Sequence, residues 1–559
     1  MLGVKGFSWK IRGLDDRIKN LSSKYNISLF LAQVFINRNI PDNNFNSFLN
    51  PSTSEFYSFS LLPDIEKGVQ RIKKAIKNKE KVLVYGDYDV DGITSLAIFH
   101  EFAEQYPDIF SFYIPHRIKE GYGLNEEVLT KAKNNNISLI LTFDCGTNAY
   151  KEIEIARSLN IDIIIIDHHH PKEGLTPSLA FINPKREGSI YPYPDLSAGG
   201  LSFKFLQALT GDNCYEVLDL VALSTVCDVS PLIGENRSLV KEGLKVLKNT
   251  SRAAIKALCK AGSIKQENID IFHIGFILGP RINAAGRVSH AKESLDLFFS
   301  RDEDKAFDQA VVLNKHNLLR KKIETDILLE AEKIVEENIK NNRVIVVSGE
   351  GWHPGVLGIV ASRLSKKYYM PAFVISFDKG LGVGSARSID DIHLIKTLDK
   401  CPETLTEYGG HSKAAGIQIN KNELDNFTKS INNIVEKEFA DKKFIPSLDI
   451  DACLTFDDIN MNLVEELEKL KPYGEGNVRP LFVTHNVFKK TALKKIKWGY
   501  SVWLINKTNV LEAVINDKKI VDFLTCSNEV DIVFSLDKNN YYNSIKLVIR
   551  DCRLSCNES

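Results

Sequence analysis

The sequence predicts an α/β protein: a parallel-sheet domain joined by a long helix to a second α/β domain, with a small β-barrel after it. Three observations predict it. Apolar, β-branched runs separated by helical stretches recur between about residues 80 and 185. From Ala306 to Val347 there is neither Gly nor Pro. Short alternating strands fill the region after about residue 446.

The first block reads as strands at Val82-Leu83-Val84-Tyr85, Leu139-Ile140-Leu141-Thr142-Phe143 and Ile163-Ile164-Ile165-Ile166. Apolar runs without polar alternation indicate a parallel sheet covered on both faces. In the Gly- and Pro-free segment, Leu313, Leu318, Ile323, Ile327, Ala331 and Ile334 keep helical spacing, which predicts the long connecting helix. A second α/β block runs from Val344-Ile345-Val346-Val347 through Gly416-Ile417-Gln418-Ile419. The tail holds a helix near Leu463 to Leu470, the turn Pro472-Tyr473-Gly474-Glu475-Gly476-Asn477, and then the alternating strands. With 559 residues, several domains are expected, at roughly 100 to 200 residues each. The divisions expected are 1–60, a packing extension; 61–245, the first sheet; 246–342, a helical connector; 343–445, the second α/β block; and 446–559, the barrel.

Lys+Arg and Asp+Glu both total 72, so the formal net charge is zero and the chain lacks the overall basic signature of many nucleic-acid binders. Any polyanion must be met by a local patch or by metal ions. The nine cysteines are scattered, odd in number and without a CxxC pair, which argues against a disulfide framework or zinc ribbon and for a reducing cytosol. The opening residues MLGVKGFSWKIRG lack a signal peptide's apolar stretch, and no apolar run approaches the ~20 residues of a membrane span. A cytoplasmic protein without membrane contact is expected.

Every strand of the first block ends in acid: Gly86-Asp87-Tyr88-Asp89-Val90-Asp91-Gly92, then Asp144-Cys145-Gly146-Thr147, then Asp167-His168-His169-His170. In a parallel sheet these ends converge on the carboxyl edge, where ligands bind in open α/β folds. So many like charges repel in a partly buried cleft unless cations neutralise them. Hard divalent ions do this; oxygen ligands suit both Mg²⁺ and Mn²⁺, and Mn²⁺ tolerates imidazole better. Asp-x-Asp-x-Asp-Gly alone is equally a solvated turn or a calcium loop. Three such turns on successive strands favour a site holding two ions with a shared carboxylate.

These residues resemble the DHH phosphoesterases, named for the triplet present here as Asp167-His168-His169. The first motif resembles Asp87 to Gly92, the second Asp144-Cys145-Gly146, and the fourth Val221-Ala222-Leu223-Ser224-Thr225-Val226-Cys227-Asp228. The resemblance implies that Asp89 and Asp144 hold one metal, completed or supported by Asp87, and that Asp91, Asp144, His168 and Asp228 hold the other, with Asp144 bridging. It also implies that His169 faces the scissile phosphate. Ser224 and Cys227 stand where the family's fourth motif usually has Gly and Ala, and His170 extends the third; no candidate ligand is replaced. The second block resembles the DHHA1 substrate-binding domain in Gly351 to Arg363, in Gly384-Ser385-Ala386-Arg387-Ser388, and in Gly409-Gly410-His411-Ser412-Lys413-Ala414-Ala415-Gly416. There Gly-rich turns admit a phosphate and Arg387 and His411 supply donors; each turn is also compatible with a plain turn, and Trp352 and His353 with packing.

From about residue 60 onward the chain is most similar to the bacterial members of the family that digest single-stranded DNA from an end. That similarity includes Arg117 in Pro115 to Gly123, Arg281 and Arg287 in Gly279 to Arg287, and the turn Pro472 to Asn477. It implies a metal-dependent exodeoxyribonuclease, a monomer with two Mn²⁺ or Mg²⁺ ions, 5′-to-3′ polarity, release of 5′-mononucleotides, a role in DNA repair and recombination, and a helicase and a single-strand-binding protein as partners. His169 and Asp144 are the catalytic candidates; Arg117, Arg281, Ser385, Arg387 and His411 are the substrate-binding ones. The barrel resembles an oligonucleotide-binding (OB) fold whose Phe482, Trp498, Tyr500, Trp503, Tyr541 and Tyr542 alternate with Lys489, Lys490, Lys494, Lys495 and Lys497; half of these aromatics fit equally as barrel core. Two other functions remain open: a DHH enzyme for short RNA, cyclic dinucleotides or pyrophosphate, against which the barrel argues, and an inactive replication scaffold, against which the full set of acids argues.

Overall fold

The computed structural model describes residues 2–13, 15–172, 174–338, 342–539 and 543–555. The chain divides into two compact units: Ser52–Phe444, and Met1–Pro51 together with Ile445–Ser559.

In the larger unit, β1 (Lys81–Gly86), β2 (Phe110–Tyr113), β3 (Ile137–Phe143), β4 (Asp162–Ile166) and β5 (Ala180–Ile182) form a sheet in the order β2-β1-β3-β4-β5. Every pairing in it is parallel. Strand side chains alternate between faces, so Val82, Val84, Leu139, Leu141, Ile164 and Ile166 enter one core while Tyr85, Ile140, Ile163 and Ile165 enter another. Burial on both faces is why these strands read as unbroken apolar runs. The first core extends from Leu62 to Leu313, so the helices after residue 246 close over the same sheet.

Four helices of this core carry or support the site: α1 (Val90–Ala103), α2 (Ala198–Thr210), α3 (Leu218–Cys227) and α4 (Gly279–Val288), the last entered through a π-helical turn at Ile274–Leu278. The long helix α5 (Glu303–Asn338) has 36 residues, about 54 Å at the α-helical rise. Leu313 belongs to the first core, whereas Ile327, Ala331 and Val335 pack into the second block. One helix thus seats both blocks.

In that second block β6 (Ile345–Glu350), β7 (Ala372–Asp378), β8 (Leu381–Arg387), β9 (Glu407–Gly410) and β10 (Ala414–Asn420) form a sheet of order β9-β10-β8-β7-β6, with helix α6 (Pro354–Tyr368) connecting β6 to β7. Only β6 and β7 pair in parallel among these described strands.

The smaller unit is a closed barrel. Strands β11 (Phe482–Lys489), β13 (Gly499–Asn506), β14 (Asn509–Ile515), β15 (Glu529–Asn539) and β16 (Ser544–Leu554) pair around the ring β11-β15-β16-β14-β13, and β11 with β13 closes it; β12 (Lys494–Ile496) extends β13 outward. The amino-terminal residues belong to this unit: Leu31, Val34, Phe35 and Phe45 share a core with Leu463, Phe482 and Val530, and Ser8–Ile11 pairs in parallel with Ser447–Ile450. In the turn near residue 472, Asn477 Nδ2 donates to the carbonyls of Leu470 and Pro472, while its Oδ1 accepts from Arg38.

Candidate metal centre

The strand ends bring their acids together on the carboxyl edge of the first sheet. After β1 the chain turns so tightly into α1 that a Cβ on Gly92 would lie 2.4 Å from the Asp87 carbonyl oxygen, so only glycine fits. Asp89 caps α1, its Oδ1 accepting from the N–H groups of Asp91 at 2.9 Å and Gly92 at 3.3 Å. This aims Asp91 inward, where it is 1% exposed. After β3, Asp144 adopts the left-handed conformation, φ 62°, which a short polar residue tolerates better than most. After β4 come Asp167, His168 and His169, and Asp228 follows α3.

Three overlapping groups result, with the potential ligand atoms in each within 4.8 Å of one another: Asp87, Asp89 and Asp144; Asp91, His168 and Asp228; and Asp144, Asp167, His168 and His169. Asp144 belongs to two of them, and its Oδ1 lies 3.2 Å from His168 Nε2. His168 Nε2 is also 3.7 Å from Asp91 Oδ2, and its Nδ1 is 3.9 Å from Asp228 Oδ2.

A cation fits this arrangement. Asp87 Oδ1 and His168 Nε2 are buried without a hydrogen-bond partner, a costly state for polar atoms that a ligated ion would relieve. Burial first, and then neighbouring carboxylates, push the acids of Asp87 and Asp144 well above the usual carboxylate range and those of Asp91 and Asp228 upward. Oxygen-rich ligands with one imidazole suit Mg²⁺ or Mn²⁺.

Asp167 behaves differently from its neighbours. It accepts from the N–H groups of Thr147, His168 and His169 and from His169 Nδ1. Burial alone would raise its pKa, but His169 and these donors hold it below the carboxylate range. Burial likewise disfavours a charged His169, yet Asp167 outweighs it and lifts the imidazole to about 9. Tyr122 adds a hydroxyl 3.2 Å from His169 Nδ1 and donates to the Asp144 carbonyl at 3.1 Å.

Beside the acids lies a cluster of arginines. Arg117 stacks over the Tyr88 ring at 4.7 Å. Arg287 donates to the Gly355 carbonyl at 3.0 Å, and its pKa is lowered by burial and by the charges of Arg117, Arg320 and Arg387. Arg387 donates to the Ala386 carbonyl at 2.8 Å and reaches Ser385 Oγ at 3.4 Å; among the described residues no carboxylate pairs with it. Ser385 and Arg387 are two apart on β8 and so share a face. Gly358 of α6 makes room for them, since a Cβ there would lie 3.0 Å from Ser385 Oγ and 3.1 Å from Arg387 Nη2. His411 is acidified by burial and by His169, Lys172 and His170, which puts it within electrostatic reach of the metal edge. Arg281 is engaged locally, donating to Asn314 Oδ1 at 3.0 Å and to the Ile277 carbonyl at 2.7 Å. Trp352 is buried and donates to Glu330, and His353 caps α6, so both have structural work.

On the barrel the aromatic residues divide. Phe482 is fully buried core, Trp498 is 76% exposed and Trp503 46% exposed. Tyr500 is half-buried, and Tyr541 and Tyr542 lie outside the described residues. The sequence pattern passed over Phe488, which is 45% exposed and on β11 pairs with Ile505, two residues from Trp503. It also gave no role to Asp167, Tyr122, Ser224 or Arg287. The partners of Tyr122, Ser224 and Arg287 are distant in sequence, whereas Asp167 pairs with the neighbouring His169; all four lie inside recognised motifs, but the motifs do not name what each side chain touches.

Comparison with known proteins places these parts. The DHH family N-terminal domain model matches residues 81–225, the DHHA1 domain model residues 341–437, and the RecJ OB domain model residues 450–551. The chain is 33% identical to the single-stranded-DNA-specific exonuclease RecJ of Bacillus subtilis (strain 168), over 98% of this chain and 71% of that one. It is 30% identical to the protein of the same name from Escherichia coli (strain K12), over 78% and 80%. The crystal structure of RecJ in complex with Mn²⁺ from Thermus thermophilus shares the fold at TM-score 0.83 and 24% identity, covering 98% of this chain and 80% of that one.

Proposed function

The chain belongs to the RecJ family of single-stranded-DNA-specific exonucleases, and from that premise we propose how its own residues do the work. It is a metal-dependent phosphodiester hydrolase acting on single-stranded DNA with two Mn²⁺ or Mg²⁺ ions. The observation that carries the site assignment is Asp144, which belongs to two of the three ligand groups. In our reading Asp87, Asp89 and Asp144 hold one ion, and Asp91, Asp144, His168 and Asp228 hold the other.

When bound, such ions lower the pKa of an attacking water and neutralise charge on the phosphoryl group. His169, held as an imidazolium by Asp167, donates from Nε2 to a non-bridging phosphate oxygen and stabilises the charge that develops there. Arg117, Ser385 and Arg387 grip the terminal phosphate. Arg387 suits this because no acid neutralises it among the described residues. His411 contacts the strand near the cleaved bond. Arg281 shapes the groove by tying α4 to α5 while keeping part of its guanidinium for a phosphate.

The finer reading is an enzyme that proceeds from the 5′ end, releases 5′-mononucleotides, acts in the cytoplasm as a monomer in DNA repair and recombination, and works beside a helicase and a single-strand-binding protein. No helix of the described residues is long and apolar enough to cross a membrane. The domain roles follow the expected divisions: 61–245 catalytic, 246–342 connecting, 343–445 substrate-binding, 446–559 nucleic-acid-binding. Phe488, Trp498 and Trp503 supply stacking surfaces on the barrel, with lysines of the β11–β13 region as phosphate partners. The test is digestion of single strands labelled at either end, beside duplex DNA and dinucleotides, with Mn²⁺, Mg²⁺ or chelator. Mononucleotides released first from the 5′ end of single strands, and none with chelator, are expected; preference for dinucleotides would shift the function to small substrates.

A further inference from the structure

Asp91 stands apart from the other acids of the centre, because most of its acceptor capacity is already filled by protein. Its carboxylate lies across the N-terminus of α2, where Ala198 N–H donates to Oδ2 and Gly199 N–H to Oδ1, both at 2.9 Å. A third donor comes from α3: the fully buried Ser224 hydroxyl donates to Oδ1. An ionised carboxylate only accepts, so the proton direction is set. Ser224 gives its hydrogen to Asp91, accepts from Gly199 N–H at 3.1 Å, and has its Oγ 2.8 Å from Ser197 Oγ. Ser197 is in turn the cap of α2 and lies 3.0 Å from Thr225 Oγ1. The packing around the hydroxyl is closed: a Cβ on Gly199 would lie 2.3 Å from Ser224 Oγ, so this serine requires glycine opposite it.

A carboxylate offers about four acceptor sites. We propose that Ser224 is a positioning residue of the metal centre: with the first two N–H groups of α2 it fills three acceptor sites of Asp91 and leaves this ligand a single one, on Oδ2, for a divalent ion. Oδ2 is the oxygen facing His168 Nε2, at 3.7 Å. Asp91 is therefore a one-oxygen ligand held against rotation, unlike Asp87, whose Oδ1 is buried and unpartnered. Ser224 also precedes Asp228 by one helical turn, the Asp228 N–H donating to the Ser224 carbonyl at 2.9 Å. The same residue thus ties two of the three members of the Asp91–His168–Asp228 group.

The inference rests on the metal-site assignment above, and the experiment separates the two. Mn²⁺ is titrated calorimetrically into the full chain, its Ser224→Ala variant, Asp91→Ala, and the double variant, with melting curves in chelator for each. Outer-shell partners of metal ligands are worth roughly 10- to 100-fold in affinity. Ser224→Ala should weaken one of two Mn²⁺ ions about tenfold, leave the other unchanged, and add nothing in the Asp91→Ala background. Unchanged affinities in Ser224→Ala, with a clear loss in Asp91→Ala, overturn the positioning role alone. Equal weakening of both ions together with a lower melting temperature in chelator overturns it too, as a general packing effect. If Asp91→Ala itself leaves both ions in place, the ligand assignment falls and the role of Ser224 with it.

Discussion

Asp167 accepts two hydrogen bonds from His169, one from Nδ1 at 2.7 Å and one from the backbone N–H at 3.2 Å. That pairing orients the imidazole and raises its pKa, and in the proposed mechanism Nε2 is the donor for substrate. Replacing Asp167 by Asn keeps the shape but removes the anion and favours the wrong tautomer. Loss of one such transition-state donor costs on the order of 10²- to 10³-fold in rate. Asp167→Asn should lower kcat by about a hundredfold with KM for a single-stranded oligomer little changed; steady-state kinetics in saturating Mn²⁺ read this directly, and a raised KM at constant kcat would place His169 in ground-state binding instead.

In the proposed reading Arg387 serves end recognition and not hydrolysis, and a variant separates the two. Charge-assisted bonds from a guanidinium to phosphate are worth roughly 1.5 to 3 kcal/mol, so Arg387→Ala should slow cleavage of 5′-phosphorylated DNA by about ten- to a hundredfold. DNA ending in 5′-hydroxyl should lose much less. With no acid to leave unpaired among the described residues, the melting temperature should hold. An unchanged rate ratio between the two ends refutes the anchoring role.

Removing the barrel needs two cuts. Leu31, Phe35 and Phe45 share the barrel's core, so a chain of residues 1–444 would expose that apolar surface to water and should aggregate. A chain of residues 52–444 should stay soluble, keep dinucleotide cleavage and bind long single strands more weakly. Stacking contributes roughly 1 to 3 kcal/mol per base, so losing two contacts should raise Kd by one to several orders of magnitude. Equal Kd values for a long oligomer, measured by fluorescence anisotropy, would remove the barrel from the substrate path.

His485 on β11 makes the barrel's stability pH-dependent. Asp531 first, and Cys453 second, raise its pKa to about 10, with His485 Nδ1 and Asp531 Oδ2 2.9 Å apart. A histidine raised on folding adds stability that is full below the unfolded value of about 6.5 and is lost as pH rises through about 10. His485→Gln should therefore be less stable than the parent at pH 6 and should nearly match it above pH 10. Urea midpoints across that range test the sign; a gap that widens with pH contradicts it.

Much of the site was legible because its chemistry sits at strand ends. Ile163 to Ile166 announces a doubly covered strand, and the acids that follow each such run must meet on one edge. The short edge strands Phe110–Tyr113 and Ala180–Ile182 were not legible, since neither has the length or pattern to stand out. Nor was the membership of residues 1–51 in the barrel's unit, which depends on pairings such as Ser8 with Ser447. Ser224 against Asp91, 133 residues apart, is a contact that periodicity does not encode. Aromatic residues in the barrel alternated as stacking surfaces would, but alternation also describes its core, where Phe482 lies.

The claim that one carboxylate joins two ions is tested most directly by counting Mn²⁺ ions bound to Asp144→Ala in a calorimetric titration. Asp144 lies in two ligand groups, buried among acids that raise its pKa, so the variant should still fold in chelator, the relieved repulsion offsetting the cost of alanine at φ 62°. At concentrations that saturate two sites in the parent, it should hold neither ion tightly, and hydrolysis of single-stranded DNA should be lost with them. Two ions bound with the parent's affinities would contradict the shared-ligand assignment.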